Sequence, residues 1–234
     1  MQLAHVPAEK RYGFKEGWLE TRWHFSFDHY YDPANVRFGA LRVFNDDRIA
    51  PDSGFDRHPH REMEIVTVML AGTLEHRDSS GGSARLVAGD VQRMSAGTGI
   101  AHSERNPSKS EATHLLQIWV LPDTPGLRPG YEQRRFERAA RRGRLERVVT
   151  RDPGPGELKI HQDVDFYLGT LVPEVELEHR VRPGRRQYLF VIEGAVALDG
   201  TRLEEGDQGR ITGAEALRLR ALGKEAEVIL IDLA

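Results

Sequence analysis

The sequence predicts an all-β protein made of two β-barrels joined by a linker with a short helix, and three observations predict it. Short β-branched runs alternate with glycine turns between His58 and Leu121, helical periodicity is absent there, and the same order of turns returns after the linker. Ile65, Val66, Thr67 and Val68 form the clearest β-branched run. Turn signals at Ala71-Gly72, Ser79-Ser80-Gly81-Gly82, Gly89-Asp90 and Gly97-Thr98-Gly99 have the spacing of antiparallel hairpins, which implies a sandwich or a barrel.

From Leu121 the chain changes character. Pro122, Pro125, Gly126, Pro129 and Gly130 mark a linker, and the charged run from Tyr131 to Arg144 reads as a short helix. Its arginines are interleaved with Glu132 and Glu137, and Glu146 follows, so the run reads as a solvated helix face and not as a nucleic-acid patch. Beyond it, Gly194, Gly206-Asp207 and Thr212-Gly213 repeat the order of Gly72, Gly89-Asp90 and Ser95-Ala96-Gly97. Two copies are too few for a solenoid, so one β-domain has been duplicated. The expected domains are 1–133 and 134–234.

Bulk composition narrows the function classes. A hydrophobic fraction of 39% with 29% charged residues fits a soluble globular chain. The net charge of -3 gives no global attraction for nucleic acid or an anionic membrane, so neither is an expected partner. There is no cysteine, which removes disulfides, thiolate metal sites and cysteine nucleophiles. No apolar run is long enough for a signal peptide or a membrane span, and a cytoplasmic address is the default expectation.

The chemistry concentrates in two short segments. Of the ten histidines, eight precede the linker, and three of these stand in tight pairs: His58-Pro59-His60 and His102-Ser103-Glu104. Side chains two apart on a strand share a face, so each pair directs two donors toward one point, and two such pairs on neighbouring strands make a four-ligand nest. Imidazole and carboxylate suit first-row divalent metals, and four protein ligands around an octahedral ion leave two positions open, a catalytic arrangement. Iron(II) is the first candidate, with nickel, cobalt, manganese, copper and zinc as alternatives. The other histidines carry less. His76 reads as a hydrogen-bonded strand residue, and His114 opens a strand whose parity partners Leu116, Ile118 and Val120 look like core. Gln117 and Trp119 on its opposite face line a pocket or an interface. His24 and His29 sit in an aromatic cluster with Trp23, Phe25, Phe27, Tyr30 and Tyr31, read as packing.

Gly54, His58, His60, Glu64 and Gly72 resemble the first cupin motif, and Gly89, Gly97, His102 and Asn106 resemble the second. The run from His58 to Asn106, with the upstream GWLETRWHFSFDHYYDP and RFGALRVFNDD, is similar to the pirin family; the resemblance is dense over residues 17–121 and afterwards lies only in the spacing of turns. It implies a bicupin of two cupin-type β-barrels, with His58, His60, His102 and Glu104 holding one divalent transition metal. In many other cupins the glutamate at the position of Glu64 is itself a ligand. The pirin pattern instead takes its carboxylate from Glu104 and leaves Glu64 to orient a ligand imidazole. An ungapped match of the two halves puts Arg180, Arg182 and Arg186 at His58, His60 and Glu64, and Arg218 and Arg220 at His102 and Glu104, so the C-terminal barrel is expected to lack the site. His161 and His179 there read as isolated.

The resemblance further implies a metal-dependent dioxygenase that cleaves flavonols such as quercetin with loss of carbon monoxide, its partners being a flavonol-type substrate and dioxygen. In that chemistry Glu104 is the expected general base as well as a ligand. The alternative that the family offers is an iron-dependent, redox-sensing binding protein or transcription cofactor with a protein partner.

Overall fold

A computed structural model describes residues 1–234. The chain forms two cupin-type β units, one of Tyr12–Arg135 with Leu158–Gln162, the other of Met1–Arg11, Phe136–Glu157 and Asp163–Ala234. No helix is long and apolar enough to cross a membrane.

The opening strand β1 (Gln2–Val6) belongs to the second unit. The first unit then runs through β2 (Tyr12–Glu16), β3 (Leu19–Trp23), β4 (Leu41–Ile49), β5 (Gly54–His60), β6 (Glu64–Ala71), β7 (Thr73–Asp78), β8 (Ser83–Val87), β9 (Asp90–Ser95), β10 (Ile100–Arg105), β11 (Thr113–Val120) and β12 (Gly130–Arg135). Each glycine turn foreseen in this half falls between two of these strands. The large sheet has the order β12-β9-β6-β11-β4-β3-β2 and the small one β5-β10-β7-β8. Their inner faces pack together where Leu74 and Leu86 of the small sheet meet Ile49, Met69 and Leu115 of the large one, all buried. Burying each such side chain contributes roughly 1.5–3 kcal/mol.

In the second unit the strands are β13 (Leu145–Thr150), β15 (Val164–Leu171), β16 (Leu177–Arg180), β17 (Arg186–Glu193), β18 (Ala195–Leu198), β19 (Thr201–Glu204), β20 (Gln208–Thr212), β21 (Ala216–Ala221) and β22 (Ala226–Leu233), while the two-residue β14 (Leu158–Lys159) lies in the excursion that joins the first unit. The order β1-β20-β17-β22-β15-β13 matches β12-β9-β6-β11-β4-β3 of the first unit, and the small sheet β16-β21-β18-β19 matches β5-β10-β7-β8. The echo extends to single bonds: Asp90 Oδ2 accepts from the Val87 amide at 2.9 Å, and Asp207 Oδ2 accepts from the Glu204 amide at 3.0 Å. These are the Gly-Asp turns that the sequence repeats.

Two expectations need correction. The charged run from Tyr131 is not helical at its start: residues to Arg135 form β12 and pair with β9 from Gly130↔Ser95 to Arg135↔Asp90. Only one 3-10 turn, Arg138–Arg141, remains of the helix. Pairing with an open sheet edge outweighs the helix propensity of a Glu/Arg-rich stretch, which is a weak bias. The run is not merely solvated either, since Arg141 is buried and bound to Glu227 at 2.7 Å, with Arg138 also on Glu227 and Arg142 on Glu225.

The ungapped match between the halves is also out of register. In β21 it is Leu217 and Leu219 that face the second core, packed with Leu177, while Arg218 points outward and is 60% exposed. Leu217 stands opposite His179 on β16, as His102 stands opposite His58 in the first unit. Leucine on β21 and His179 on β16, not arginine, therefore occupy the inward positions. His179 is not isolated: its Nε2 lies 3.0 Å from Asp232.

Candidate metal centre

Strands β5 and β10 run antiparallel with His58 directly opposite His102 and His60 opposite Ile100. Between His102 and Glu104 the register shifts, so Glu104 pairs with Phe55 and Asp56 and Arg57 bulge out. A bulge re-aims the neighbouring side chains, and this one lies within the proposed ligand set. On its other edge β10 pairs with β7, which puts Asp78 across from His102 and His76 across from Glu104.

The side chains named from the sequence converge. His58, His60 and His102 each offer a ligand atom within 4.8 Å of the others, and His76, His102 and Glu104 form a second such group. Ring centroids are 4.8 Å apart for His58 and His60, 4.5 Å for His58 and His102, and 4.9 Å for His60 and His102. His58 donates its Nδ1 hydrogen to the Asp56 carbonyl at 2.7 Å; a carbonyl only accepts, so Nε2 of that ring carries the lone pair. His102 Nε2 and Glu104 Oε1 are buried without a hydrogen-bond partner. An unpartnered donor atom in such a place is expensive unless something else binds it.

Electrostatics agree with that arrangement. Burial lowers His60 to about 4, and burial with the neighbouring histidines lowers His102 to about 2, so both rings are neutral, the form that ligates. Burial pushes Glu104 up to about 7 against the hydrogen bonds of Gln92 and Gln117. Gln117 Nε2 donates to Glu104 Oε2 at 2.8 Å, and Gln117 Oε1 accepts from the Thr67 hydroxyl at 2.9 Å, which fixes the orientation of the amide.

A cavity of about 180 Å³ opens on these groups, walled by Phe14, Trp23, Phe27, Phe55 and Trp119 with Asn45 and Asp47 deeper in. Trp23 stacks on Tyr12 and Phe14, each at 5.4 Å between centroids, and Phe27 meets Trp119 edge-on at 5.4 Å. Of the aromatic cluster of the N-terminal arm, Trp23, His24 and Phe25 are buried and Trp23 and Phe27 also wall the pocket, while Tyr31 is 74% exposed. Gln117 and Trp119 line the pocket, while His114 binds Asp46 at 2.7 Å.

Glu64 is placed elsewhere. Its Oε2 accepts from the Ser95 hydroxyl at 3.0 Å and the His161 amide at 3.2 Å, and no ligand imidazole touches it. β5 ends at His60 and β6 starts at Glu64 in the other sheet, with Glu62 turning between them at φ 48, so Glu64 does not continue the strand of His58 and His60. His161 is consequently partnered, not isolated. Asp47 was missed: it is fully buried, bound by the Thr21 hydroxyl, and burial with the charges of Asp46 and Glu104 raises it to about 7. Alternation along β4 was the available signal, since Asn45 and Asp47 are buried where an ordinary strand has apolar residues.

Comparison with known proteins identifies relatives over the whole chain. The family model described as Pirin matches residues 5–120, and that of the quercetinase C-terminal cupin domain matches residues 147–233. A quercetin 2,3-dioxygenase of Escherichia coli is 44% identical over 97% of this chain and 96% of its own. A pirin-like protein of Caulobacter vibrioides is 38% identical over 97% of this chain and 98% of its own. The crystal structure of the bacterial pirin YhhW from Escherichia coli in complex with nickel(II) superposes with a TM-score of 0.94 at 41% identity, covering 99% of each chain.

Proposed function

The chain belongs to the pirin family, and from that premise we propose that it is a metal-dependent dioxygenase opening flavonols such as quercetin at the site formed by His58, His60, His102 and Glu104. The observation that carries the reading is the pair of buried, unpartnered atoms, His102 Nε2 and Glu104 Oε1, beside two further imidazoles at the floor of an aromatic pocket. Three imidazoles and one carboxylate without sulfur fit a first-row divalent ion. Iron(II) is our first choice and nickel(II), bound in the Escherichia coli relative, the second. When bound, such an ion supplies a Lewis acid for a hydroxyl oxygen and the electronic route to dioxygen.

The chain's own residues account for the rest. A flavonol hydroxyl has to lose its proton to ligate, and the Glu104 carboxylate, beside His102 on the pocket lining, is the group placed to take it. Gln117, pinned by Thr67, holds the Glu104 carboxylate in one rotamer by its bond to Oε2. Trp23, Phe27, Phe55 and Trp119 offer flat faces and edges to an aromatic substrate and keep water from the reacting ring. The second unit, with leucines at its inward positions, is read as the metal-free partner.

The test is direct. Protein reconstituted with iron(II) or nickel(II) is given quercetin under dioxygen, and carbon monoxide is measured against flavonol consumed. One carbon monoxide per flavonol supports the reading. Full metal content with no flavonol loss contradicts it and favours the binding-protein alternative.

A further inference from the structure

One buried pair stands beside the proposed ligands. His76 and Asp78 lie on β7, opposite Glu104 and His102 in register, and both side chains are only 1% exposed. His76 Nε2 is 3.2 Å from Asp78 Oδ2, and His76 Nδ1 is 3.4 Å from His102 Nδ1. The Asp78 carboxylate is anchored on its other oxygen by the Ser80 amide at 2.8 Å, the Ser80 hydroxyl and the Gly82 amide at 3.0 Å. A Cβ at Gly82 would collide with that carboxylate, so the bare glycine is what lets the loop close on it.

The donors and acceptors in this chain have one consistent direction. With its Oδ1 saturated by donors, Asp78 can only accept at Oδ2, so His76 carries its hydrogen on Nε2. A neutral His76 ring then presents a lone pair at Nδ1, and the facing Nδ1 of His102 has to be the donor. We propose that Asp78, acting through His76, fixes His102 as the Nδ1–H tautomer and leaves its Nε2 lone pair free to ligate, making Asp78 and His76 positioning residues for the metal. The orphaned state of His102 Nε2 is the independent sign of this, for it is the one nitrogen of that ring with no partner. The inference rests on the metal site proposed above. It also decides between two roles for His76, which lies close enough to His102 and Glu104 to serve as a ligand itself. A ring that gives Nε2 to Asp78 and Nδ1 to His102 has no lone pair left for an ion.

The experiment reads the tautomer in metal-free protein, where it does not depend on metal binding. Long-range proton–nitrogen NMR of nitrogen-15-labelled protein should show hydrogen on His102 Nδ1 and none on Nε2. Asp78→Asn turns the acceptor facing His76 into a donor, which reverses both hydrogen bonds and should move the His102 hydrogen to Nε2. Affinity for iron(II) or nickel(II) should then fall by about 10- to 100-fold, the usual effect of losing a partner behind a metal-binding histidine. His76→Gln keeps the direction of the chain, amide to Asp78 and carbonyl to His102, and should hold affinity within about threefold of wild type, whereas His76→Leu should lose as much as Asp78→Asn. A wild-type His102 with hydrogen on Nε2, or an Asp78→Asn protein whose tautomer is unchanged, overturns the proposal. So does a change in the visible spectrum of the cobalt(II)-loaded protein on His76→Gln, which marks His76 as a ligand. Should Asp78→Asn fail to fold, the two His76 variants carry the test, and equal affinity in both overturns it. Wild-type protein that binds no metal but shows the expected tautomer sinks the dioxygenase reading and leaves the tautomer assignment standing.

Discussion

At the residue scale, Asp47 is a second buried carboxyl in the pocket beside Glu104. Its carboxyl titrates near 7 in the folded chain, raised chiefly by burial, and near 3.8 when free. Between those values the folded chain holds a proton that the unfolded chain has lost, so rising pH removes stability across this window. Asp47→Asn keeps an oxygen for the Thr21 hydroxyl and has no charge to bury. The metal-free variant should therefore gain on wild type as pH rises from 4 to 8, by on the order of 3 kcal/mol. Urea denaturation of both proteins at pH 5 and pH 8 measures it, and an equal stability difference at the two pH values contradicts it. The convergence of His58, His60, His102 and Glu104, proposed here as ligands, was legible because i, i+2 spacing on a strand is a local signal. Gln117 was readable as a pocket residue, His76 as a hydrogen-bonded strand residue and Asp47 only through the alternation of β4, but that these, with Thr67 and Asp78, meet at one place depends on the register of β4, β6, β7 and β11. Register is a long-range property that no short window contains.

At the scale of elements, the β5–β10 pairing carries the site, since it alone sets His58 against His102. That pairing begins where Gly54, at φ +152, passes the Glu104 carbonyl and the Arg105 backbone so closely that a Cβ would strike both. Gly54→Ala should strain or part the two strands, lowering stability by roughly 1–3 kcal/mol and weakening metal binding with it. Thermal denaturation and metal titration check this together. Unchanged values in both would mean that the strand end adjusts without moving His58. Glycine turns were readable because each needs a backbone that other residues resist. The segment Tyr131–Arg135 was not, because a charged stretch of that composition suits a helix until the free edge of β9 is present to pair with it.

At the scale of the whole molecule, duplication was visible in the repeated Gly-Asp turns, and the sheet orders follow it strand for strand. Nothing local marked β1 as a strand of the second unit or Leu158–Gln162 as an excursion to the first, since both depend on where distant sheet edges are left open. The first unit's core of Ile49, Met69, Leu74, Leu86 and Leu115 contains none of the proposed ligands. The double change His58→Ala with His60→Ala should therefore abolish metal binding and leave the far-ultraviolet circular dichroism of an all-β protein. Loss of that signal would make the centre structural instead of catalytic.

One measurement bears most directly on the account: the rate of carbon monoxide release from quercetin by wild type and Glu104→Gln, with metal content determined in the same preparations. The amide keeps an oxygen donor and loses the charge and most of the basicity. The metal-loaded variant is expected to release carbon monoxide about two to four powers of ten more slowly than wild type. Equal rates at equal metal content, or no carbon monoxide from fully loaded wild type, would contradict it.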